Sequence, residues 1–428
     1  MTLLEKTYDL NIEDFKNYSI NKLFTIQSEA YELNIDTTLI NIKKFIKSIF
    51  ISEYEYVIKY NNSYNEILFF YSHFFYRNDH FNTFINFTNG LDIGDVLYPI
   101  RKKHNINIKK SLKLSLKCIS WLKHLRNQNM NFREKIIVLH TLLEAKKFIE
   151  IIDKINIGKY KMLSVYYDVN PIDNLLVQYF KSENKVTSTL QHGSFIAKRN
   201  NCKNFESRGI ELSNCISDFF LAWNEFTKDE AIKAGIKNNN IKVLGIPKYL
   251  NLKSELDSNE IQDENKFVFG LILGTKGSQV QNLALINIAN KISRDMNYKY
   301  KIKFHPSFEG NEYDDYIDKK FYAGYFDKYS TITDYIRTVK FSLVGNSSVY
   351  IELIYLKHTT YRIVGVGDFD KFIDIKENTF TSYSDLEKIL QNKENDNEVL
   401  FEYLCTVTNI KNSYLDFFIN TLNKLNEG

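Results

Sequence analysis

Two histidines stand where strands should end. In TSTLQHGSFIAKRN, 187–200, a β-leaning run stops at Gln191, His192, Gly193 and Ser194, with Lys198 and Arg199 close behind. In IKFHPS, 302–307, His305 ends another such run and Pro306 follows it. A histidine at a strand exit points away from the sheet, where it can donate to or protonate a phosphate leaving group, or take a proton from a hydroxyl. A third constellation lies in FSLVGNSSVYIELIYL, 341–356: a buried strand, a turn through Gly345 and Asn346, then Ser347 and Ser348 at the head of an apolar helix. Unpaired N–H groups at a helix start, with two hydroxyls beside them, make an anion site. Plain N-capping accounts for one of the serines and leaves the pair, the glycine and the asparagine to be explained. Glu352, about one turn further on, is placed to accept from a ribose diol. In LGTKGSQ, 273–279, Gly274 and Gly277 flank Thr275 and Lys276 at a strand-to-helix turn, where backbone amides can approach phosphate. The spacing and ending of a Walker A loop are absent.

These groups need a scaffold that brings strand ends to one rim, and the order of elements supplies it. Apolar runs at 66–75, 161–168, 185–192 and 217–224 read as strands, and helices read at about 106–127 and 133–154. A helical PIDNLLVQYFKSEN lies between the second and third strand, a parallel α/β pattern. The second half repeats it, with strands at 267–274, 300–306, 340–348 and 359–365 separated by helical segments. Two successive halves of this kind predict an α/β protein of two Rossmann-like, doubly wound domains facing a cleft. The boundaries expected are 1–250 for a first domain with a helical N-terminal extension, 251–266 for a polar linker, 267–412 for a second domain and 413–428 for a final helix. Only four prolines occur in 428 residues, against roughly 20 for average usage. Three of them (Pro171, Pro247 and Pro306) follow predicted strands. Proline tolerates strand exits and helix starts, so these positions mark the carboxyl edges at which open α/β sheets bind ligands.

Composition narrows the function classes. The chain is 44% hydrophobic and 25% charged with a net charge of +4, an ordinary globular balance. With no finger spacing, RNP-like motif or basic tail, nucleic acid is not an expected partner. Four scattered cysteines without a CxxC pair read as reduced thiols. The acidic N-terminus is unlike a signal peptide, and no apolar run reaches the roughly 18 residues of a membrane span. The expectation is a cytoplasmic protein. One stretch departs from neutrality: from Val96 to Arg133 there is no Asp or Glu. The basic segment 101–126 alternates apolar and basic residues at helical spacing, which suits either peripheral contact with the inner face of an anionic membrane or a solvated helix face.

Taken in order, LQHG, then FFLAWNEFTKDEAIKAGI and IKVLGIPKY, then HP, then the Ser-Ser turn resemble bacterial GT-B glycosyltransferases of surface polysaccharide synthesis (capsule, teichoic acid and lipopolysaccharide). The HP and Ser-Ser elements are similar to the CMP-binding motifs of bacterial sialyltransferases and Kdo transferases. They also resemble the matching region of teichoic acid polymerases that use CDP-glycerol or CDP-ribitol, which likewise carry a His-Gly in the first half. The resemblance covers about 160–365. It implies an inverting, metal-independent sugar transfer without a separate cofactor, from a nucleotide-sugar donor, a CMP-sugar by preference, to a glycan or lipid-linked oligosaccharide. The alternatives are a polyol-phosphate transfer and a non-catalytic nucleotide-sugar binder. His305, Ser347 and Ser348 would then hold the nucleotide with Pro306, Gly274, Thr275, Lys276, Gly345, Asn346 and Glu352. The acidic Asp/Glu-Asp/Glu-Gly motif that supplies the base in the sialyltransferases is missing, which leaves the base open among Asp168, His192 and the group His73, Asp79 and His80. Gln191, Gly193, Ser194, Lys198 and Arg199 would face the acceptor, the last two through phosphates of either substrate.

Overall fold

The computed structural model describes residues 3–25, 38–51, 53–61, 65–73, 77–102, 108–191, 193, 214–250, 267–275, 278–305, 312–327, 330–367, 372, 375–392, 397–405, 407 and 409–427. The chain divides into two compact units, one of Met1–Ala222, Thr227–Leu250 and Asn409–Gly428, the other of Trp223–Phe226 and Asn251–Thr408.

The first unit is built on a seven-stranded sheet of β1 (Tyr54–Lys59), β2 (Ile67–Phe70), β3 (Asp95–Arg101), β4 (Met162–Val165), β5 (Val186–Leu190), β6 (Phe219–Ala222) and β7 (Ile241–Val243), in the order β1-β3-β2-β4-β5-β6-β7. Every pair is parallel except β1 with β3. Strands covered on both faces read as near-continuous apolar runs, and β2 (ILFF) and β4 (MLSV) are buried at all four positions. The helices are α1 (Thr38–Phe50), α2 (Asn78–Leu91), α3 (Ile108–Arg126), α4 (Phe132–Ile152), α5 (Pro171–Ser182) and α6 (Glu225–Lys233). α4 starts on a capping box in which Asn131 and Glu134 satisfy each other's backbone N–H groups. Proline at the first position opens α5, where the missing N–H costs nothing.

The second unit carries a wholly parallel six-stranded sheet of β8 (Val268–Ile272), β9 (Lys299–Lys303), β10 (Tyr322–Phe326), β11 (Ser342–Val344), β12 (Thr360–Ile363) and β13 (Thr379–Phe380), ordered β10-β9-β8-β11-β12-β13. Its helices are α7 (Gln279–Met296), α8 (Ile332–Ile336), α9 (Val349–Tyr355), α10 (Tyr383–Asn392) and α11 (Asn397–Leu404). Numbered from its first strand this is the 3-2-1-4-5-6 order of a Rossmann sheet. The last helix, α12 (Ile410–Glu427), returns to the first unit, where Phe418 packs edge-on to Phe69 and Tyr414 donates to the Gly245 carbonyl at 3.1 Å.

Two expectations change in detail. Within the apolar run 66–75, Ile67–Phe70 form the strand and Tyr71–His73 leave the sheet; 74 and 75 lie outside the described residues. β1, β10 and β13 were not foreseen. β1 (YEYVIK) is an edge strand with mixed polarity, β10 has no buried position, and β13 has two residues. The proposed linker, 251–266, lies outside the described residues.

Candidate functional site

In the second unit the chain winds from β8 to β9 and β10 on one side, then crosses back to β11 on the other, so the sheet reverses direction between β8 and β11. Loops leaving the carboxyl ends of such a strand pair splay apart and open a crevice. Register brings the candidate residues to it. Lys303, Ile272 and Val344 form one row across β9, β8 and β11, and two residues further along each chain stand His305, Gly274 and Asn346. Three adjacent strands span only about 10 Å.

Residues of α7 hold this edge in shape. Asn282 takes the Gly274 N–H on its side-chain oxygen at 2.8 Å and donates to the Tyr313 hydroxyl at 2.9 Å. Gln281 takes the Asn346 N–H at 2.9 Å. The two loops at the crevice are thus fastened to neighbouring residues of one helix. Gly345 is required by this arrangement, since a Cβ there would sit 2.1 Å from the Gln281 side-chain oxygen. Ser347 accepts from the Val349 N–H at 3.3 Å, while Ser348, the residue preceding α9, has helical backbone angles and makes no side-chain cap. Both serines are half-buried, as are His305 and Glu352. The Val349, Tyr350 and Ile351 N–H groups turn back onto Ser347 Oγ and the Ser347 and Ser348 carbonyls. What the loop offers is the amides and hydroxyls of Ser347 and Ser348 themselves. Lys276 and Pro306 lie outside the described residues.

Below this edge a buried chain runs from the Tyr335 hydroxyl to Ser342 Oγ at 3.1 Å and on to His358 Nε2 at 2.9 Å. Gly270 in β8 makes room for it: a Cβ would fall 1.7 Å from the Tyr335 oxygen. Burial lowers the His358 pKa to about 3, so this ring is a neutral structural group.

The first unit reverses direction between β2 and β4. Phe70, Val165 and Thr189 form one row across β2, β4 and β5, and the residues three positions on are His73, Asp168 and His192. Of the bases considered from sequence, His73 and Asp168 thus follow one row of the sheet, while His192 lies outside the described residues, as do Ser194, Lys198 and Arg199.

Asp168 has a different job from the one its strand-end position suggests. It is 1% exposed, and its Oδ2 accepts from the Ile216 and Ser217 N–H groups, both at 2.9 Å, and from Cys215 Sγ at 3.3 Å. It fastens the approach to β6. Burial raises its pKa, and the hydrogen bonds from Ser217, Cys215 and Ile216 only partly offset this. Gln191 is likewise 1% exposed and spends its amide on the Gly193 carbonyl at 2.6 Å and Thr227 at 3.0 Å, an internal brace and not a surface contact. Gly193 is not needed for backbone freedom: its φ is not in the left-handed region, and among the described residues a Cβ would meet nothing within 4 Å.

His73 is the end of a network that sequence reasoning missed. Its Nδ1 lies 2.6 Å from the Tyr56 hydroxyl and its Nε2 2.9 Å from Glu144 Oε2, while Glu144 Oε1 accepts from Lys147 at 2.8 Å. Burial works to raise the Glu144 pKa, but Lys147 and His73 outweigh it and hold the carboxyl well below the usual range. Nearby, burial lowers the His80 pKa to about 4, Arg77 adding to the effect; Arg77 is ion-paired with Asp79. Asp79 stays ionised, since Arg77 overrides its partial burial.

The second missed group is Asp173, in the first turn of α5 and 0% exposed. Ser72 and the Tyr167 amide lie near enough to favour its charged form, yet neither completes a hydrogen bond of normal length and angle to its carboxyl. Burial dominates and pushes its pKa to about 8, with Asp168 adding to the rise. The signal was readable: Asp173 shares the apolar stripe of Leu176, Val177 and Phe180, and Asn282 likewise shares that of Leu285, Ile286 and Ala289.

No family model matches the chain, and no curated protein matches its sequence. Solved structures do. UDP-N-acetylglucosamine 2-epimerase from Rickettsia bellii superposes with a TM-score of 0.50 at 13% identity, over 84% of this chain and 98% of that one. UDP-GlcNAc 2-epimerase from Neisseria meningitidis bound to UDP-GlcNAc gives 0.48 at 12%, over 84% and 99%, and the wall teichoic acid polymerase TagF gives 0.46 at 11%, over 96% and 99%. The chain has the GT-B fold, two doubly wound α/β units in tandem, as the Rickettsia enzyme does.

Proposed function

We propose that this protein is an inverting, metal-independent glycosyltransferase that moves a sugar from a nucleotide-activated donor, by preference a CMP-sugar, to a bacterial surface polysaccharide or its lipid-linked precursor. One observation carries the reading. His305, Gly274 and Asn346 continue from a single row of strands at the direction reversal of the second sheet, with Ser347 and Ser348 opening the next helix. That arrangement suits a nucleotide. The amides and hydroxyls of 347–348 take the phosphate, His305 donates to the departing phosphate oxygen, and Glu352 takes the ribose hydroxyls. α9 has only seven residues, so local N–H and O–H donors, more than a helix dipole, supply the attraction.

In the first unit the acceptor's proton goes to His192, because the Asp168 carboxyl is committed to the 215–217 backbone and both His73 ring nitrogens are committed to Tyr56 and Glu144. A fold shared with an epimerase does not choose the reaction. The products do. Incubated in EDTA with activated donors and oligosaccharide acceptors, the protein should release free nucleotide and extend the acceptor by one sugar mass. Release of CMP from a CDP-polyol with formation of a phosphodiester would replace this reading with polyol-phosphate transfer. Tight nucleotide binding without turnover would make the protein a binder.

A further inference from the structure

Helix α3 has two apolar faces, and only one of them is used. Ser111, Leu114, Cys118, Trp121 and Leu125 are buried against the first unit. Ile108, Leu112, Leu116, Ile119 and Leu122 form a second stripe, exposed by 79%, 63%, 61%, 56% and 42%. At about 100° per residue this stripe lies roughly 120° around the helix from the buried one, and at about 1.5 Å per residue it runs for some 20 Å. Aliphatic residues at this spacing in water represent a cost that a surface helix ordinarily avoids.

The charge around the stripe says what covers it. Lys109, Lys113, Lys123 and Arg126 are exposed along the same helix and have no carboxylate partner among the described residues, and α3 contains no acidic residue. Helix α1, which packs beside α3, carries exposed Ile46 and Phe50 among Lys43 and Lys44, with Lys47 ion-paired to Glu53. A protein partner would have to present apolar and acidic groups in matched rows. An anionic bilayer offers both at once, negative headgroups over hydrocarbon, to a helix lying in its surface plane.

We propose that the exposed face of α3, extended by α1, docks the first unit onto an anionic lipid surface, with Ile108, Leu112, Leu116, Ile119 and Leu122 entering the headgroup region. The docking does not depend on the reading of the nucleotide site.

Sedimentation of the full chain with vesicles tests it. The protein should pellet with equimolar phosphatidylglycerol and phosphatidylcholine, stay soluble with phosphatidylcholine alone, and release partly in high salt. L112E/L116E alters two residues that are mostly in solvent, so folding should be intact by circular dichroism while vesicle affinity falls at least about tenfold. K109E/K113E/K123E should lose the preference for the anionic vesicles. Failure of the wild type to pellet, or equal partitioning of L112E/L116E, overturns the proposal. So does a wild type that is dimeric by light scattering and becomes monomeric in L112E/L116E with no lipid bound, since the face would then belong to a second copy. Nucleotide titration of the same variants reports separately on the second unit.

Discussion

Replacing Asp173 by asparagine removes a charge that the fold resists forming. The group's pKa is about 8 in the folded protein against 3.8 unperturbed, a difference of about 4 units at about 1.4 kcal/mol per unit, or on the order of 5 kcal/mol. The sign follows from proton counting. Below pH 4 the carboxyl is neutral in both states and contributes no difference. Between about 4 and 8 the folded protein keeps a proton that the unfolded chain has lost, so stability falls as pH rises; above 8 the full penalty is present and constant. Asparagine has nearly the same shape and cannot ionise. The stability of Asp173→Asn relative to wild type should therefore grow with pH, by about 2 kcal/mol between pH 6 and 8. Urea unfolding of both proteins at the two pH values, followed by circular dichroism, measures the difference directly. A difference that is the same at pH 6 and 8 would refute the reasoning, because it would mean that Asp173 has already ionised or that its burial is relieved.

Other substitutions probe the two sheet edges. Glu144→Gln leaves Lys147 and His73 without their shared carboxylate in a largely buried setting and should lower stability by roughly 3 kcal/mol, read from thermal unfolding. Since the Glu144 pKa is lowered, the wild type should lose this contribution as pH falls below the ordinary glutamate range, and the variant should not. Gly345→Ala must push the Gln281 side chain off the Asn346 amide; a stability loss of about 1–3 kcal/mol with a larger loss of nucleotide affinity is expected in melting and titration experiments. Gly193→Ala should change stability by no more than about 0.5 kcal/mol, because neither the backbone angle nor any described neighbour demands glycine there.

What could be read from the chain follows from the physics of buried strands. β2, β4 and β8 are short, buried and largely apolar, and such runs announce themselves. The Gly-Asn-Ser-Ser turn and the His-Pro strand exit were legible for the same reason, since chain direction and turn chemistry are local. The edge strands mask their period, β1 through Glu55 and Lys59 and β10 through a small Ala-Gly centre with no buried position. The side-chain networks were out of reach because their members meet only through tertiary structure: Tyr56 and Glu144 join His73 from 17 and 71 residues away, and Gln281 reaches Asn346 across 65. Asp168 shows the converse case. A carboxylate at a strand end looks like a catalyst until its oxygen is found holding a neighbouring loop.

The central claim is that the carboxyl edge of the second sheet binds an activated nucleotide. Calorimetric titration of the wild type, Ser347→Ala and His305→Ala with CMP, CDP, UDP and GDP tests it most directly. The account predicts saturable binding of one nucleotide family, CMP or CDP first, weakened by at least about tenfold in each variant through loss of a hydrogen bond to a charged phosphate. Equal affinity in all three proteins, or no nucleotide bound by the wild type, would contradict it.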